Sequence, residues 1–453
     1  MVNSKSEVLI NSTPEVLVVG AGPVGLFAAL SLAKRGVRVQ VVDTGVWTSK
    51  HSYALALHSQ TLALLEKFGL LDGIMAAAYP VWRMGFYDAN GRMAEVRLAG
   101  DHESRLCMVV IRQSGLEELL ERKLGALGVN VLWGHEVADL VPEEDSVAIT
   151  INNLDGEPRV RAGAPAECKL ADAQILHVPY VIGTDGHDSF VRRALNIPFP
   201  EVGPAQHYGI FEFKSDFDLC HEARVVLTEN STDILWPLPV GYCRWSFQLP
   251  DCSDLTDKSM KEKLLSSGLR HFSAKRVKDR SLGTTSDDFS VLHPGKLSTL
   301  LAERASWFNG RIGDFSWRTV VMFERRLASS FGKGRVWLAG DAAHVTTPAG
   351  VHSMNLGLFE ANELAEAIAH VLHATGSVGE LDKYYNRWTA EWRRLEGIEN
   401  GVKPLAGADP WIQKNASRLM TCLPAHGNVL TELAAQLKLD LALSKEGGFA
   451  PSD

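Results

Sequence analysis

The sequence predicts an α/β fold: a Rossmann-like parallel unit, interleaved with an antiparallel-sheet domain and followed by C-terminal helices. Three observations carry this expectation. A strand, a glycine turn, a helix, a second strand and an acid follow one another over Val16–Asp43. An Asn90-Gly91 hairpin and the aromatic strands after Ile197 belong to no parallel nucleotide-binding sheet. From Leu381 onward the pattern is helical.

The first unit reads VLVVGAGPVGLFAALSLAKRGVRVQVVD. Val16–Val19 is an apolar β-type run, and Leu26, Leu30 and Ala33 share one face of the helix that follows. Gly20 allows the tight turn, Gly22 lets the backbone approach a pyrophosphate, and Gly25 lets the helix pack on the strand. Unpaired N–H groups at the helix start suit the phosphates. Asp43, about 20 residues on, is placed to bind a ribose 2′-hydroxyl and repel a 2′-phosphate. The fingerprint alone leaves FAD and NAD both open.

Further along, Leu57, Thr61, Leu64, Leu65 and Phe68 have helical spacing, and Gly69 stops that helix. MGFYDANGRMAEVRL alternates across Asn90-Gly91 and reads as an excursion into another sheet. Val109–Ile111 is a short strand. Arg112–Leu127 is a helix with Leu116, Leu119, Leu120 and Leu124 inward, and Val129–Trp133 is a strand. Val147–Ile182 reads as a meander with turns at Asp155-Gly156 and Gly163–Pro165. VPYVIGTDGHDSFVRRAL is strand, turn and helix again. Residues 197–314 alternate as an antiparallel domain with a charged helical piece near Lys261–Arg276. Val336–Ala339 is a buried strand that ends at Gly340-Asp341. A loop with Pro348 and Gly350 then enters a long helix whose inward face includes Met354, Leu358 and Leu364. The expected domains are 1–80, 104–196 and 315–375 for the nucleotide, 81–103 and 197–314 for the substrate, and 376–453 as a helical region.

Bulk properties exclude several classes. A net charge of -8 over 453 residues argues against a nucleic-acid partner held by phosphate contacts. Six scattered cysteines without CxxC spacing argue against a zinc site or disulfide framework, so no metal is expected and a reducing, cytoplasmic setting is. The polar leader Met1–Pro14 lacks a signal-peptide h-region and reads as a loose tail. No apolar run is long enough for a transmembrane helix.

Three motifs now stand in order: GAGPVG with Asp43, TDG with Ser189 and Arg192, and GDAAH with Pro348 and Asn355. Together, from about residue 15 to about 372, they resemble the single-component FAD-dependent aromatic hydroxylases of the p-hydroxybenzoate hydroxylase type. The resemblance implies FAD, with NADH or NADPH as electron donor and without a Rossmann unit of its own; no second GxGxxG follows. It also implies O2, a small aromatic substrate, and hydroxylation or epoxidation through a flavin C4a-hydroperoxide. Asp185 and Gly186 would sit near the flavin pyrophosphate, where Arg192 could pair with phosphate; Asp185 equally suits the cap of the next helix. Gly340-Asp341 would hold the ribityl hydroxyls. Gln113 matches a flavin-contacting position, or is a plain first-turn residue. The helix after Pro348 would turn its positive end toward the flavin pyrimidine ring, with contacts from Gly350, Met354 and Asn355.

The chain departs from the family pattern where Gly-Gly-Gln-Gly usually follows the proline; here it reads Gly350-Val351-His352-Ser353. Pro348 and His352 are the residues nominated at the reacting end. His352 suits a flavin hydrogen bond or a proton relay, or is a satisfied loop residue. Glu360 replaces a common Asp, and Tyr53 and Gln60 stand where many members carry Arg. For the substrate pocket, Phe211, Phe213, Trp236 and Trp245 are nominated, with Tyr208, Pro237 and Trp317 beside them. No Arg/Lys clamp stands out, which leans toward a neutral, fairly large aromatic or polyketide-like substrate. The rivals are a flavin halogenase, whose WxWxIP stretch is absent; a quinone- or isoprenoid-directed oxidoreductase; and a non-catalytic FAD-fold binding protein. The chain is expected as a monomer or homodimer.

Overall fold

The computed structural model describes residues 13–45, 56–98, 107–155, 169–249, 292–398 and 401–441. The leader, Tyr53, the Asp155-Gly156 and Gly163–Pro165 turns and the Lys261–Arg276 piece lie outside or at the edge of those residues. The described helices are α1 (Pro23–Lys34), α2 (Ser59–Lys67), α3 (Leu71–Ala77), α4 (Gln113–Gly125), α5 (Phe190–Ala194), α6 (Pro294–Arg304), α7 (His352–Leu372), α8 (Gly379–Leu395), α9 (Pro410–Cys422) and α10 (Gly427–Gln436).

Val16–Val19 lies at the centre of a six-stranded sheet, between Val39–Asp43 and Tyr180–Gly183 and parallel to both. Val131–Trp133 extends one side and Val336–Leu338 the other, also in parallel; Gly332–Lys333 adds an antiparallel edge. All four residues of the central strand are buried, in one core with α1 and with the antiparallel strands His135–Pro142 and Val147–Asp155. One hydrophobic core joins this sheet to α1, α7 and the C-terminal helices, where Trp388, Trp392, Leu419 and Leu430 are buried.

The second sheet has eight strands. In order these are His344–Val345, Phe315–Leu327, Glu201–Lys214, Tyr242–Leu249, Thr232–Leu238, Glu222–Leu227, Arg83–Tyr87 and Arg92–Arg97. The Asn90-Gly91 hairpin joins this sheet through a parallel pairing of Arg83–Tyr87 with Glu222–Leu227. The expected boundary near 315 needs correction. Phe315–Leu327 belongs to the second sheet, paired with Glu201–Lys214 from Phe213↔Phe315 to Glu201↔Arg326. Pairing along nearly the whole strand outweighs its nearness in sequence to the GDAAH motif. The C-terminal stretch is likewise less uniformly helical than expected: after α9 and α10 it closes with a strand, Leu439–Leu441, paired to Val402–Pro404. Among the described residues no helix is long and apolar enough to cross a membrane.

Candidate FAD site

The sequence opens α1 directly beneath a cavity. Gly22 caps the helix with extended backbone and Pro23 occupies its first turn. Gly20 has φ +104°, and a Cβ there would lie 2.7 Å from the Thr184 carbonyl carbon, so only glycine fits this turn. A Cβ on Gly25 would collide with the Gly20 carbonyl oxygen. Gly22 differs: nothing lies within 4 Å of a Cβ built on it, and the residue lines the cavity. The glycine therefore leaves an open cradle over the helix start, where N–H groups without intrahelical partners favour an anion.

The cavity, about 370 Å³, falls within the usual range of small-molecule sites. It brings together Gly20, Gly22, Asp43, Gln113, Asp185, Gly186, Asp341, Pro348 and Met354. At its rim the Asp43 carboxylate accepts the Ala21 N–H at 2.7 Å and the Gly45 N–H at 2.7 Å. Gln113, the first residue of α4, donates from Nε2 to Glu117 at 2.9 Å. Asp341 accepts a hydrogen bond from Ser353, which also lines the cavity. The start of α7 reaches the cavity through Pro348, Val351, Ser353 and Met354, so the positive end of a 21-residue helix faces it.

Asp185 borders the cavity and also caps α5. Its carboxylate accepts the Ser189 hydroxyl at 2.5 Å and the Val191 N–H at 3.1 Å. Burial pushes its carboxyl above the usual range.

Several nominated residues lie elsewhere. Arg192 does not line the cavity: its guanidinium donates to Ala342 O at 2.8 Å and His187 O at 2.6 Å, and covers the Phe199 ring at 3.8 Å. It staples the TDG turn to the GDA turn instead of meeting phosphate. Asn355 is fully buried; its Oδ1 accepts from His58 N and Thr61 Oγ1, and its Nδ2 donates to the Ala56 and Val351 carbonyls. Three of these bonds tie α7 to Ala56 and the start of α2 and the fourth holds α7's own cap; Asn355 itself does not line the cavity. His352 is buried against Leu423 O at 2.9 Å, and Gly350 packs beside it. Neither lines the cavity, so the geometry withdraws a reacting role from His352. Gly340 also lies behind the wall, its N–H held by Glu360 at 2.9 Å. Glu360 further accepts from His344 Nε2 at 2.8 Å and Trp392 Nε1 at 2.7 Å, which fixes the turn that presents Asp341.

The four substrate nominations are core. Phe211, Phe213 and Trp245 are fully buried with Phe247 and Phe308 in the second sheet's own core, and Trp236 sits in the larger one. Strand alternation explains the error. Phe211 and Phe213 do share a face, but the opposite face carries Tyr208 and Ile210, packed with Val321 and Phe323. The cavity wall from this sheet is Val321, Met322, Phe323, Glu324 and Val345, which sequence reading missed. Glu117 was also missed, although its place four residues after Gln113 puts both on one helix face. Thr184, the first residue of the TDG turn, and His187, just after it, complete the lining there.

The donor set therefore suits a dinucleotide: an open glycine cradle at a helix start, acids at two strand ends, and a second helix start facing inward. Residues 13–396 match a family model described as FAD binding domain. The chain belongs to that family. A curated relative, 6-methylpretetramide 4-monooxygenase of Streptomyces rimosus, is 28% identical over 380 residues, covering 82% of this chain and 58% of that protein. The chain thus spans under two thirds of that relative's length. The crystal structure of p-nitrophenol 4-monooxygenase from Pseudomonas putida DLL-E4 superposes with TM-score 0.64 at 24% identity, over 94% of this chain and 93% of that one. A ternary complex of aklavinone-11 hydroxylase with FAD and aklavinone superposes with TM-score 0.61 at 20% identity, over 91% and 71%. The fold is that of the FAD-dependent aromatic hydroxylases.

Proposed function

We propose that this chain is an FAD-dependent monooxygenase that uses NADH or NADPH and O2 to hydroxylate, or epoxidise, an aromatic or polyketide-like small molecule. One observation carries the reading: a single cavity joins the glycine cradle, Asp43 and Asp341 to the start of α7 and to the apolar wall Val321–Phe323. The names of the relatives, a methylpretetramide monooxygenase and an aklavinone hydroxylase, support a polycyclic substrate class. FAD held in this cavity would supply the redox chemistry that links a nicotinamide donor to oxygen.

The chain's own residues bind, orient and shield. Gly22 would admit the pyrophosphate to the helix start, and Asp43 and Asp341 would hold hydroxyls of the two sugar-like ends. The start of α7 would favour negative charge on a ring system held beside it. Val321, Met322 and Phe323 exclude water and offer a flat ring an apolar surface. The charged side chains in the described lining, Asp43, Glu117, Asp185, Glu324 and Asp341, are all acidic, which supports a neutral substrate over a carboxylate. We read the protein as cytoplasmic, a monomer or homodimer. The described cysteines 107, 220, 243 and 422 are free thiols, which suits a reducing setting.

The test is oxidation of NADH and NADPH by the FAD-loaded protein, with and without a panel of phenols, quinones and polycyclic ketones. Ligand-stimulated oxidation that consumes O2 and yields an oxygenated product is expected. Ligand-stimulated oxidation that reduces a quinone without consuming O2 would replace the reading by a quinone-directed oxidoreductase.

A further inference from the structure

Val351 is a β-branched residue at φ +48°, in the left-handed region, where it caps α7 and lines the cavity. Such a conformation persists only where the surroundings fix it. Three hydrogen bonds do so from three parts of the chain. His58 Nε2 donates to Gly350 O at 2.9 Å, Asn355 Nδ2 donates to Val351 O at 2.7 Å, and His352 Nε2 donates to Leu423 O at 2.9 Å. Behind them the Gln60 amide grips the His426 backbone from both sides, at 3.2 and 3.3 Å. The rings of His58 and His352 stand edge to face at 5.8 Å, and all three histidines are buried.

We propose that His58 and His352 are positioning residues for the cofactor: they clamp the cavity-lining loop Thr346–Val351 between the start of α2 and the segment joining α9 to α10. The proposal rests on FAD occupying the cavity. Each Nε2–H would still donate from a protonated ring, but burial opposes charge on these rings in the clamped loop. Burial lowers the basicity of all three, and His58 faces His352 and His426, so charging one opposes charging the next. The remaining charged groups come from α8 and its end: Glu391 and Glu396 face His352, while Glu391, Arg387 and Arg394 face His426. Acid should therefore loosen the loop. An imidazole with its ordinary pKa in the released loop, and a lowered one in the clamped loop, links the two states by at most about tenfold between pH 7.5 and 5.5.

The experiment compares FAD affinity of the apo-protein, read by quenching of flavin fluorescence, for wild type, His352→Ala and His352→Gln at pH 7.5 and 5.5. Circular dichroism of each checks folding. His352→Ala should bind FAD about five- to tenfold more weakly at pH 7.5, the value of one lost hydrogen bond. His352→Gln keeps an N–H for Leu423 O but cannot be charged. It should bind within about twofold of wild type at pH 7.5 and lose at least half, on a logarithmic scale, of the wild-type weakening at pH 5.5. If His352→Ala does not fold, the glutamine comparison decides. Equal acid weakening in wild type and His352→Gln would overturn the proposal, as would wild-type affinity in a folded His352→Ala. Wild type that binds no FAD at either pH would instead refute the cofactor reading beneath it.

Discussion

Gly22→Ala separates binding from folding more cleanly than any other change at this site. Gly22 has φ -72° and ψ 178°, which alanine adopts freely, and no atom lies within 4 Å of the added methyl. The cost is that alanine is a poorer helix cap than glycine; the gain is a stiffer unfolded chain, and the two effects are each under about 1 kcal/mol and opposed. The folded apo-protein should therefore melt as wild type does. The methyl group, however, fills the cradle from which a pyrophosphate would reach the N–H groups of α1. Displacing it by one charge-assisted hydrogen bond costs about 1.5–3 kcal/mol, or about 10- to 150-fold in FAD affinity. Gly20→Ala is the contrasting control: φ +104° and a collision with Thr184 should unfold or strongly destabilise the chain itself. The assay is FAD titration by fluorescence quenching alongside thermal melts of the apo-proteins. A Gly22→Ala protein that binds FAD within threefold of wild type would show that the phosphates do not lie over this turn.

Three more outcomes follow from the same geometry. Arg192→Ala should lower stability by about 3 kcal/mol in denaturant titrations, because it empties a buried staple between two turns; loss of FAD affinity with unchanged stability would restore a phosphate role. Phe323→Ala should raise the KM for the oxygenated substrate and leave stability near wild type, whereas Phe211→Ala should cost about 3–5 kcal/mol of stability by opening a core cavity; the reverse pattern would put the pocket on the other face of the sheet. Burial pushes the His426 pKa down to about 4, so the unfolded chain binds the extra proton as pH falls. Stability is fully present above about 6.5 and lost toward pH 4, by up to about 3 kcal/mol. Denaturant titrations across that range should show a smaller acid loss in His426→Gln; an identical loss would assign the effect to other groups.

The legible parts of the site were those set by local backbone chemistry. The glycine turn, Asp43 at its strand end, TDG and the Gly340-Asp341 turn each announce themselves within a few residues, and the cavity joins them. Side chains whose direction depends on distant partners were not legible. His352 points at Leu423, 71 residues away, and Arg192 at Ala342, 150 residues away; neither partner leaves a local mark. Asn355 was drawn into the site by its motif, yet its bonds run 294–299 residues back to Ala56, His58 and Thr61. Alternation placed Phe211 and Phe213 together correctly, but parity alone does not say which face of an eight-stranded sheet meets the nucleotide unit. The strand Phe315–Leu327 supplies that wall because it pairs with Glu201–Lys214, a choice made across more than a hundred residues.

The most direct measurement is the visible absorption spectrum of the protein after addition of FAD and removal of unbound flavin. Flavin bands retained in a ratio near one per chain, and shifted from those of free FAD, are the predicted result. A folded protein that emerges colourless would contradict the assignment of Gly22, Asp43 and Asp341 to an FAD site.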